Sequence, residues 1–104
     1  MKAKDAAIEL KKQSFYGMSD VLKLFLKELM ARIELRSHGE TIITKTLAES
    51  VLKEMGDWIY KVAKELGWNE DACDKARQEC LEIAFESLRM SVIRKKEELD
   101  GKNR

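Results

Sequence analysis

Proline is absent from this 104-residue chain, which has only two cysteines, one histidine and 7% aromatic residues. Without proline, the task of ending helices falls to glycine. The two cysteines, Cys73 and Cys80, are too few for a disulfide scaffold. Seven positions apart on a helix, they stand ~10 Å apart along its axis, beyond the ~7 Å Cα separation that a disulfide tolerates. With His38 as the single histidine, a zinc site of Cys and His ligands cannot be completed within one chain. No apolar run approaches the ~20 residues needed to span a bilayer. The opening Met1-Lys2-Ala3-Lys4-Asp5 is not followed by an apolar signal core, so the expected location is the cytoplasm. Neither sign of charge is in excess: 20 Lys+Arg stand against 19 Asp+Glu, a net +1. That balance argues against a dedicated DNA-binding module, which draws on a basic surplus.

What is present is enough apolar material for a core, 44% hydrophobic against 38% charged. It is arranged with helical rather than strand periodicity. The expectation is one all-α domain over 1–104, its ends (1–2 and 99–104) frayed. Gly17, Gly39, Gly67 and Gly101 fall where helical patterns end and are read as C-terminal caps. Four helices result, over about 3–16, 20–37, 42–66 and 70–98. Connections of a few residues make neighbours antiparallel, which gives an up-down four-helix bundle.

The first helix is weakly patterned. The second, capped by Ser19, sets Leu22, Phe25, Leu26, Leu29, Met30 and Ile33 on one face, with Val21, Leu24 and Leu35 on its flank. The third, capped by Thr41 or Thr44, carries the widest apolar arc: Leu47, Ala48, Val51, Leu52, Met55, Trp58, Ile59, Val62 and Leu66. The fourth starts at an Asn69 cap, with Trp68 stapled back onto Cys73.

This fourth helix has two apolar stripes. One is small-residue: Ala72, Cys73, Ala76, Cys80, Ile83, Ala84, Ser87 and Ser91. The other, Leu81, Phe85, Leu88 and Val92, has the four-three-four spacing of a helix–helix seam. Two arrangements account for it. Either the fourth helix is the centre of the bundle, or one stripe closes the core and the other forms a homodimer interface.

Polar chemistry is sparse. His38 follows the second helix, where an imidazole complements the helix dipole. Arg94-Lys95-Lys96 is followed at once by Glu97-Glu98, with no aromatic interleaved to stack on bases, so nucleic-acid binding ranks low.

The stretch from Glu54 to Gly67, with Glu54-Met55-Gly56-Asp57 leading into an apolar helix that ends Leu66-Gly67, resembles the second acidic motif of the MazG-like nucleoside triphosphate pyrophosphohydrolases. The resemblance implies Glu54 and Asp57 as Mg²⁺ ligands, with the ion activating water against a phosphoanhydride. The family's first motif, E-E-x-x-E, has no counterpart on the second helix, where Glu34 alone aligns. The same acids also fit surface pairing, Asp57 with Lys61 and Lys61 with Glu65 at i,i+4. The leading expectation is therefore a small helical interaction protein, dimeric, that binds a macromolecular partner through an apolar helix face. The alternative is a divergent Mg²⁺-dependent pyrophosphohydrolase using Glu54, Asp57 and Glu34.

Overall fold

The computed structural model describes the backbone of residues 1–13, 15–37 and 44–102, and the side chains of these up to Leu88. Four helices follow in order: α1 (Ala3–Lys11), α2 (Met18–Arg36), α3 (Lys45–Glu65) and α4 (Glu70–Lys102). No strand occurs among the described residues, so the all-α expectation holds. None of the helices there is long and apolar enough to cross a membrane.

The helix ends show what local chemistry decides. α1 stops at Lys11 rather than near residue 16. Leu10 is its last buried residue, and the Gln13 N–H bonds to the Leu10 carbonyl at 3.1 Å, closing a turn. Beyond that turn Phe15 is 91% exposed and adds nothing to the buried face of α1. Gly17 does not cap α1. It is the extended residue that opens α2, and its N–H donates to the Asp20 carboxylate at 2.9 Å. An acid at the third helical position reaching back in this way starts the helix before Ser19.

Thr44 caps α3, its Oγ1 accepting from the Leu47 N–H at 3.1 Å. Thr41, His38 and Gly39 lie outside the described residues. Gly67 ends α3 with φ +84°, where an L side chain is disfavoured. Its N–H and that of Trp68 bond back to the Lys64 and Ala63 carbonyls at 3.0 and 3.1 Å, a Schellman closure. Asn69 then caps α4, its Oδ1 accepting from the Ala72 N–H at 2.8 Å. α4 continues through Gly101 to Lys102, so Gly101 does not end it. At the other end, the Met1 carbonyl accepts from the Trp58 indole N–H at 2.8 Å.

One buried cluster draws on all four helices. Ala6, Ala7 and Leu10 come from α1, Val21, Phe25, Leu29 and Ile33 from α2, and Cys80, Ala84 and Leu88 from α4. All close on Val51, Met55, Trp58, Ile59 and Val62 of α3. α3 is the central helix: it packs against each of the others and more extensively than any of them, whereas among the described residues α1 and α4 do not touch. The arrangement with α4 at the centre is corrected. The helix with the widest apolar arc takes that position, since it has the most apolar surface to share among its neighbours.

α2 is also turned slightly from its expected orientation. Val21, Phe25, Leu29 and Ile33 are its fully buried line, with Leu22 and Leu26 half-buried beside it and Met30 at 62% exposure. Around α3 the neighbours run α1, α2, α4, since α2 touches both of the others.

Candidate functional site

The acids of α3 lie against α2. Arg32 Nε is 3.1 Å from Glu28 Oε1 one turn back on α2, and its Nη1 reaches Glu54 Oε2 across the interface at 3.5 Å. Arg36 pairs with the other Glu54 oxygen and touches Ser50 Oγ at 3.5 Å. The Arg32 guanidinium also lies 5.6 Å from the centre of the Trp58 ring. Glu28 meets the Met1 amino group at 2.7 Å. Burial pushes the Glu28 carboxyl up, but hydrogen bonds and charges from the amino terminus and Arg32 outweigh it and hold its pKa below the ordinary carboxylate value.

Asp57 is exposed and shares a shallow recess with Glu54, Lys2, Arg32 and Lys61. Its expected ion pair with Lys61, and that of Lys61 with Glu65, do not form within 4.0 Å; α2 supplies the cations instead, to Glu54. Glu34 stands two residues from Arg32, about 200° further around α2, and is exposed. Among the described residues, no three His, Cys, Asp or Glu side chains converge as metal ligands.

This donor set does not fit Mg²⁺. A hard cation needs several carboxylate oxygens free to bind it. Here Glu54 is paired with two guanidinium groups, Asp57 is the one other acid in its recess, and Glu34 lies elsewhere on α2. Sequence reasoning missed Arg32 and Arg36 as partners of Glu54. The signal available was their own i,i+4 spacing, together with Glu28 one turn before Arg32.

The thiols are packing groups. Burial pushes the pKa of Cys80 up to about 12 and raises that of Cys73 as well. Cys73 Sγ donates to the Trp68 carbonyl at 3.5 Å, within a small second cluster of Cys73, Ala63 and Ala76 under Trp68. Neutral buried thiols are poor nucleophiles and poor metal ligands.

The second stripe of α4 does not stay together. Leu88 is buried to 6% exposure and continues the core line Cys73, Ala76, Cys80, Ala84. Leu81 is half-buried and lies on Gly56, while Phe85 is 57% exposed. Val92 falls outside the described side chains. The physical reason is angular: on a straight helix Leu88 is about 20° behind Leu81 and Phe85 about 40° ahead. The core, reaching only one way, takes Leu88 and leaves Phe85 outside.

Beside Phe85 is an open groove of about 730 Å³ between α3 and α4. Leu52, Lys53, Leu81, Glu82, Phe85 and Glu86 line it. Its volume is within the ~300–1,000 Å³ range of ligand-sized sites, enough for several apolar side chains. The groove lies where a fourth neighbour of α3 would stand, on the side of α4 that faces away from α2.

The fold and this groove define a four-helix protein with one face of its α3–α4 pair uncovered. Comparison with protein-family models, with curated proteins and with solved structures finds no match.

Proposed function

We propose that this chain is a small helical interaction protein that binds a macromolecular partner by accepting the apolar side of a helix into the α3–α4 groove. The observation that carries this is Phe85. A large aromatic left 57% exposed at the lip of an apolar groove is the anchor type that helix-in-groove recognition uses. Leu52 and Leu81 supply an apolar floor, and Lys53, Glu82 and Glu86 a charged rim. That pairing of apolar centre and polar rim is the anatomy of a protein interface. The magnesium-dependent pyrophosphohydrolase reading lacks any comparable support, since Glu54 is already paired with Arg32 and Arg36.

The test is site-specific photocrosslinking in cells that produce the chain. A benzoylphenylalanine at position 85 should give discrete adducts that map to apolar residues of a helical segment in the captured protein. The same group at Lys75, exposed elsewhere on α4, should not. Equal or absent crosslinking at the two positions would remove the α3–α4 face from consideration.

A further inference from the structure

We infer that the occupant of the α3–α4 groove is a second copy of this chain, docked about a two-fold axis that runs along the groove, so that α3 of each copy lies on α4 of the other. This inference rests on the groove being a docking face and names its partner.

Self-complementarity is the first argument. A two-fold interface requires one patch to carry both the protruding group and the recess that receives it. Here Phe85 stands exposed on α4, and the recess over Leu52 and Leu81 lies directly beside it. With the axis along the groove, each Phe85 enters the other copy's recess, and α3 and α4 of the two chains complete a four-helix layer. That layer supplies the fourth neighbour α3 lacks.

Charge is the second argument. Lys53 lies on the α3 wall, while Glu82 and Glu86 lie on the α4 wall. When the two grooves face each other, Lys53 of each copy meets the acids of the other, so the same opposite-sign contact is made twice. A net charge of +1 adds no appreciable repulsion between copies.

The experiment is light scattering on the full chain after size exclusion, followed by charge exchange. The wild type should have twice the 12.0 kDa chain mass. Phe85→Glu should have the single-chain mass with an unchanged helical circular-dichroism spectrum, because Phe85 is outside the core. Leu88→Glu, which puts a charge into the core, should lose helicity and serves as the contrast. Lys53→Glu and Glu86→Lys should each raise the dimer dissociation constant by roughly tenfold. Combined, they should bring it back toward the wild-type value. A wild type that is monomeric at all concentrations overturns the inference, as does a dimer whose combined charge exchange fails to recover. A monomer that still crosslinks another protein from position 85 leaves the docking face intact and removes only the second copy. Loss of that crosslink removes both.

Discussion

A Cβ built on Gly56 would stand 3.1 Å from Leu81 Cδ1, so the one glycine inside α3 lies directly beneath a side chain of α4. That spacing is tight, but the atom met is the far end of a flexible side chain bordering an open groove. Leu81 can therefore withdraw by a few tenths of an ångström. Gly56→Ala trades that small shift against a gain in helix propensity of about 1 kcal/mol. The expected outcome is a melting temperature equal to or a few degrees above wild type. Gly56→Val brings two further methyl groups to the same place and should destabilise by about 1–3 kcal/mol. Thermal denaturation followed by circular dichroism reads both.

The Glu28–Arg32–Glu54 chain of charges makes an acid-dependent contribution. Glu28 titrates below its ordinary value in the folded state, so the unfolded chain binds more protons around and below that value. The stabilisation is present above pH ~4.5 and is lost as pH falls through the lowered folded pKa. Urea midpoints measured from pH 7 down to 3 should therefore fall more steeply for wild type than for Glu28→Gln. Arg32→Met should lower the midpoint at neutral pH, because it leaves Glu28 and Glu54 without their shared cation.

At the alkaline end the relevant group is Cys80. Its folded pKa of about 12 stands above the ordinary thiol value of 9.0, so the folded state retains a proton that the unfolded state releases. The contribution is complete below pH ~9 and is lost as pH rises toward 12. Cys80→Ala should remove this part of the alkaline slope, while costing some core packing at every pH. At pH 8 both thiols should react with a disulfide reagent only at the rate of unfolding. A fast-reacting equivalent in the folded protein would contradict their burial.

Pyrophosphate release from a panel of nucleoside triphosphates with Mg²⁺ addresses the acidic motif directly. The expected result is no turnover above background, and no difference between wild type and Glu54→Ala/Asp57→Ala. The double variant should instead lose stability modestly through Glu54, by about 1 kcal/mol for a partly exposed paired carboxylate. Turnover abolished in the variant would return these acids to catalysis.

Much of the fold can be read directly from the residues, because helical periodicity and end signals are local. Asn69 starts α4, Thr44 starts α3 and Gly67 ends it through bonds that span a few residues, so their types and spacing announce them. Gly17 and Gly101 mislead for a related reason. A glycine is compatible with an end but does not enforce one, and at Gly17 the deciding group is the Asp20 carboxylate three positions later. The acidic motif was legible as a motif, yet its surroundings were not. Arg32 and Arg36 lie on a different helix, and only packing α2 against α3 brings them to Glu54.

Residue types and their spacing alone determined the number of helices, the dominance of α3's apolar arc and the amphipathic split of α4. Each follows from side-chain direction along one helix. Only the tertiary structure decided that α3 is central, that Leu88 turns inward while Phe85 stays out, and that Glu54 faces guanidinium groups. These outcomes depend on which neighbour lies over which part of a helix surface. A difference of some tens of degrees around an axis separates core from solvent, and only a packed neighbour resolves it.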